Sequence, residues 1–208
     1  MVGNVDGKTI MVESIGEIHF YTYAIIPIDK KQETVLTHKI WTQEMVVEDA
    51  IMTGIYGLVE QEKFENLTKL IDELNQEFSL TGLNEKASQL GANRFSTEYY
   101  YTAIGDEKPF GDIVEYDFKD PNRTTDEWED LLLVEKIDAE AIRIAINLYM
   151  ADENVEPDSE VFDTLIQRIE RADNIPKGIY GLSLHDNYIL KKDALGSKEN
   201  SLSQDSLI

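Results

Sequence analysis

The sequence predicts an α+β fold in which two antiparallel β-hairpins pack with about five to six helices. Three observations carry this reading. Residues 15–28 alternate with period two, residues 62–78 carry apolar side chains at three- and four-residue steps, and a second pair of β-like stretches at 95–118 gives way to two further helix-capping signals. Hydrophobic residues make up 42% of the 208, with seven Phe, ten Tyr and two Trp, which is enough apolar surface to offset chain entropy.

In chain order, Lys8 to Glu13 forms an accessory strand. The alternation Ile18, Phe20, Thr22, Ala24, Ile26, Ile28 predicts a long half-buried strand, and the polar connection Asp29 to Gln32 turns it into a partner over 33–41. That hairpin sets Ile28 opposite Glu33 and Tyr23 opposite His38. Thr42 is the candidate cap of a helix over 43–59, weakened by Gly54 and Gly57. Phe64, Leu67, Leu70, Ile71, Leu74 and Phe78 define the apolar stripe of the next helix. A short helix follows over 84–90.

The second hairpin pairs 95–104 with 113–118 across a loop at 105–111. Thr124 and Glu127 have capping-box spacing and open a helix to about 135. Asp138 caps another over 139–150, apolar on nearly every side and therefore central. A third begins near Pro157 and buries Val161, Phe162, Leu165, Ile166 and Ile169, ending before Asn174 and Pro176. Residues 179–190 contain a last strand, and 191–208 read as a flexible tail. The chain divides on this basis into 1–92, 93–190 and the tail, with the first two able to form one continuous domain. Gly54-Ile55-Tyr56-Gly57-Leu58 recurs as Gly178-Ile179-Tyr180-Gly181-Leu182 without matching flanks.

The lack of cysteine excludes disulfides, thiolate metal sites and thiol nucleophiles. With no basic-then-apolar leader and no apolar run of roughly 20 residues, a cytoplasmic chain that does not enter membranes is expected. Forty-one acids against nineteen bases give a net charge of −22, a field that repels nucleic acid and favours basic or neutral partners. The excess is regional: nineteen acids and five bases between Asp106 and Asp163 give −14, leaving −8 elsewhere.

Familiar catalytic motifs fail on inspection. Gly3 to Thr9 has three residues between its glycines where a phosphate loop needs four, and Gly181 to His185 ends in His where a nucleophile elbow needs Gly. His19 and His38 stand roughly 13 Å apart in the predicted hairpin, too far to share an ion. His185-Asp186 reads as an oriented imidazole or as turn chemistry. Asp120, Asn122 and Thr124 follow calcium-loop spacing, but Thr125 and Leu131 occupy the glycine and glutamate positions. No cofactor or metal is expected.

What remains is acidic. Asp126, Glu127, Glu129, Asp130 and Glu135 place a carboxylate about every 3 Å of helix axis, near the charge density of one DNA strand. Asp152, Glu153, Glu156, Asp158, Glu160 and Asp163 form a second row. One reading treats these as solvated helix faces and dipole partners. The other is a partner-binding face with Trp128 as an aromatic anchor, although a Trp at a helix start can equally pack inward. The functional expectation is a non-enzymatic inhibitor that mimics a polyanion and blocks a basic nucleic-acid-binding protein. In size and charge the chain resembles acidic antirestriction and anti-CRISPR inhibitors of phages and mobile elements, and immunity proteins against nuclease toxins. Two other classes compete: a structural or homo-oligomeric module using Tyr99 to Tyr101, and a carboxylate-dependent enzyme.

Overall fold

The computed structural model describes residues 7–42, 45–83, 93, 95–153, 155–187 and 200–208. Its α+β architecture has a three-stranded antiparallel sheet, a five-stranded mixed sheet and, among the described residues, five α-helices. The strands are β1 (Gly7–Glu13), β2 (Tyr21–Asp29), β3 (Thr34–Val35), β4 (Leu80–Thr81), β5 (Tyr100–Ile104), β6 (Ile142–Met150), β7 (Ile179–His185) and β8 (Ser201–Leu207). The helices are α1 (Val46–Val59), α2 (Gln61–Phe78), α3 (Ile113–Lys119), α4 (Thr125–Leu131) and α5 (Ser159–Glu170).

The small sheet has the order β1-β2-β3. Its first hairpin partner is β1, paired with β2 from Gly7↔Pro27 to Glu13↔Tyr21. The predicted partner over 33–41 shrinks to two residues, after which 37–39 form a 3-10 turn and Trp41 bridges back to Ile25. Register also differs from expectation, since Ile28 pairs with Val35 and Asp29 with Thr34. The cause is local: Asp29 Oδ1 accepts the backbone N–H of Lys31 and Gln32, so the turn closes one residue later than the polar run suggested. Tyr23 therefore faces Met11 rather than His38.

In the mixed sheet β6 is central, flanked by β4 and β5 on one edge and by parallel β7 on the other, with antiparallel β8 outermost. The helix expected over 139–150 is thus a strand. Its centrality was legible, but Ile142, Ile144, Ile146 and Leu148 are buried while Arg143 is exposed, a period-two pattern with β-branched residues at most of the buried positions. The parallel β6-β7 pair requires a crossover, which α5 supplies. The expected return strand at 113–118 is instead α3, because β5 takes its partner from β6 and leaves Ile113 free to sink into the core. The supposed tail provides β8, held by seven paired positions from Ile179↔Leu207 to His185↔Ser201.

The amphipathic predictions for α2 and α5 hold; α5 is capped by Asp158, whose Oδ1 accepts from Glu160 and Val161. Helix α1 runs Val46–Val59 within the expected 43–59, and its N-cap is Met45 rather than Thr42. Helix α4 has the predicted capping box and ends at Leu131, four residues early. The repeated pentapeptide is helical in α1 and extended at β7, so the two copies are different elements. The short helix over 84–90 lies outside the described residues. One hydrophobic cluster joins Ile51, Ile55, Leu67 and Ile71 to Ile144, Ile146, Leu165 and Leu184, with members from both predicted halves.

Candidate functional site

The eleven carboxylates singled out in the sequence are all exposed. None of them forms an ion pair among the described residues, where the charge pairs are Glu60–Lys63, Glu115–Lys119, Asp205–Arg143, Glu77–Arg168 and Glu13–His19. Their polar contacts are structural. Glu127 accepts the Thr124 backbone N–H at 2.8 Å, and this bond, with the Thr124 hydroxyl, holds its carboxyl below the usual carboxylate range. Asp158 caps α5.

The carboxylates fall on either side of β6 in the chain. Glu135 lines a cavity with Ile142 at the start of β6, and Asp126 to Asp130 lie just upstream in α4. Asp152 to Glu160 follow the end of β6 and lead into α5. β6, which lies between the two stretches in the chain, is itself about 26 Å long at strand rise. Trp128 belongs to neither surface: it is 0% exposed, its ring lies 5.6 Å from the Arg123 guanidinium, and it fills the core where a surface anchor was considered.

Two cavities bear on the enzyme reading. The larger, about 590 Å³, lies along α2 with Phe64, Phe95 and Tyr100 beneath Glu65, Lys69 and Asp72. The Tyr100 hydroxyl meets Thr68 Oγ1 at 2.8 Å, and burial pushes it up to about 12, so it stays protonated at neutral pH. The smaller, about 240 Å³, gathers Tyr56, Glu60, Lys63, Asp138 and Lys177. There the Glu60–Lys63 pair is self-neutralising, and burial, then Glu60, raises Tyr56. Among the described residues no group of three His, Asp or Glu could hold a metal ion.

The histidines are placed by pairing. His19 meets Glu13 at 2.7 Å and stacks edge-on to Tyr21, while His38 sits in the 3-10 turn. His185 ends β7, where its Nδ1 lies 2.7 Å from Ser201 Oγ of its ladder partner. This belongs to a polar face that sequence reading missed: Arg143 donates to Asp205 at 2.9 Å, and Ser183 meets Ser203 at 2.9 Å, all pointing away from the core. The signal was available as the second alternation set of β7, but without β8 it had no partners.

No helix among the described residues is long and apolar enough to cross a membrane. None of the curated proteins matches the chain. A crystal structure of a DUF1672 family protein from Staphylococcus aureus shares the fold, with a TM-score of 0.65 and 20% identity over 95% of this chain and 75% of that one. The sequence matches the family described as "Protein of unknown function (DUF1672)" over residues 1–207, and with strand order, core and acidic surface in view, the chain belongs to that family.

Proposed function

We propose that the protein is a non-catalytic binding protein whose exposed carboxylates dock on a basic protein partner. The observation that carries this reading is that eleven exposed carboxylates, in two stretches of the chain, form no ion pair among the described residues, in a chain of net charge −22. Solvent-facing charges of one sign raise association rates and specificity for an opposite surface. In its finer form the proposal is polyanion mimicry: the partner is a nucleic-acid-binding protein, and the two groups stand where successive stretches of phosphate would stand.

The test is capture of partners from an extract of the source cells at low and high salt, with and without added duplex DNA. A basic protein released by salt is expected, and duplex should compete if the finer form holds. Charge reversal in each group, Asp126→Lys with Asp130→Lys and Asp152→Lys with Glu156→Lys, should weaken that capture at least tenfold. Recovery of neutral partners alone, indifferent to salt and to both double variants, would refute the proposal.

A further inference from the structure

The larger cavity, about 590 Å³, has the size of a small-molecule site, for which roughly 300–1,000 Å³ is usual. One side of it is a continuous stripe of α2. Gln61, Phe64, Glu65, Thr68, Lys69 and Asp72 fall at three- and four-residue steps, which lays them along about 16 Å of helix axis. Phe95, Thr97 and Tyr100, on the segment entering β5, complete the lining. The rings are packed together. Phe64 stacks on Tyr100 with centroids 6.2 Å apart and meets Phe95 at 6.1 Å, and an edge-on contact to Tyr56 at 5.8 Å anchors it to α1. Phe64 and Tyr100 are each 2% exposed, whereas Phe95 is half-buried. Phe95 therefore gives the space its aromatic surface, with Phe64 held firmly against it.

Hydrogen-bond polarity decides what fits there. The Thr68 hydroxyl donates to the Phe64 carbonyl at 3.0 Å, so the Tyr100 hydroxyl, 2.8 Å from Thr68 Oγ1, spends its own proton on that oxygen. Both hydroxyls keep only acceptor capacity for a ligand. The Gln61 amide donates to Glu65 Oε1 at 2.7 Å. Glu65 and Asp72 add two carboxylates, neither in an ion pair among the described residues, against the single positive charge of Lys69. Burial is the main reason the Tyr100 hydroxyl holds its proton, and the Asp72 charge adds to it, which puts that carboxylate within electrostatic reach of the same oxygen. Acceptors and negative charge beside an aromatic ring are the complement of a cation that carries N–H donors. We infer that this cavity binds an arylalkyl primary amine, its ring against Phe95 and its ammonium donating to the Asp72 carboxylate and Tyr100 Oη. The net charge of −22 favours the approach of such a cation and opposes an anion of the same shape.

Isothermal titration calorimetry of the full chain with phenethylamine tests this, with 2-phenylethanol and phenylacetate as neutral and anionic probes of the same shape. Phenethylamine should saturate one site with a dissociation constant of about 0.1–1 mM, the range for a ligand of about nine non-hydrogen atoms. Both other probes should bind at least tenfold more weakly. Asp72→Asn should weaken phenethylamine at least tenfold, and Phe95→Leu at least threefold. Glu73→Gln, at the neighbouring exposed position of α2, removes the same charge and should leave binding unchanged, which separates a site from the general pull of an acidic chain. Circular dichroism of all three variants verifies the fold. Equal binding of phenylacetate, unchanged binding in Asp72→Asn, equal loss in Glu73→Gln, or heat that never saturates would each overturn the inference. The basic-partner proposal rests on α4 and the segment leading into α5, so either can fail without the other.

Discussion

Asp117 is 6% exposed, its Oδ1 has no hydrogen-bond partner, and burial raises its carboxyl above the usual range. A raised folded value means that the native state holds its proton more readily than the unfolded chain does. Stability should therefore fall as pH rises from the ordinary carboxylate range through the folded value. Asp117→Asn is expected to flatten that decline and to leave stability at neutral pH unchanged or higher, read from urea midpoints across pH. Glu127 works in the opposite sense. Its carboxyl is held low by Thr124, so its contribution is present above the ordinary carboxylate pH and is lost as pH falls through the lowered value. Thr124→Ala removes the capping hydroxyl and should cost about 1 kcal/mol by chemical denaturation. It should not touch the Trp128 environment unless α4 itself unwinds, which Trp fluorescence would report.

Helix α1 contains two glycines that helix propensity would replace. Gly→Ala in a helix interior ordinarily adds up to about 1 kcal/mol of stability. In α1 the added methyl at Gly54 would run into Ile18 Cγ2, and at Gly57 into the Phe95 ring at 2.5 Å. Gly54→Ala is thus expected to destabilise by about 1–3 kcal/mol, the range for overpacking a core. The cost should shrink in an Ile18→Ala background, a coupling that a double-mutant cycle measures. In β7, Tyr180 donates its hydroxyl to the Pro176 carbonyl at 2.6 Å. Tyr180→Phe leaves that buried acceptor unpaired and should cost about 1–2 kcal/mol in thermal or urea unfolding.

For the molecule as a whole, the net charge of −22 makes the compact state repel itself. Added salt should raise the melting temperature, because screening relieves a native state in which the charges are closest. The charge is uneven along the chain: residues 7–42 carry none in net, and the whole −22 lies outside them.

The acid-rich character, the capping box at Thr124, and helices α2 and α5 were legible in the linear sequence. In each case the determinant lies within four residues: a side-chain oxygen reaching N3, or an apolar stripe repeating at three and four. Strands β6 and β8 and helix α3 were not. Ile142 to Met150 is apolar enough to read as either element, and it became a strand because β5 and β7 supply backbone partners on both sides. Ser201 to Leu207 carries no strand signature and is held by the exposed edge of β7. Trp128 could point in or out until α4 was set against α1. Composition determined how much charge the protein carries; only tertiary structure decided that Ile142 to Met150, between the two acidic stretches, is the central strand of the mixed sheet, because hydrogen-bond pairing between distant segments is invisible to any local window.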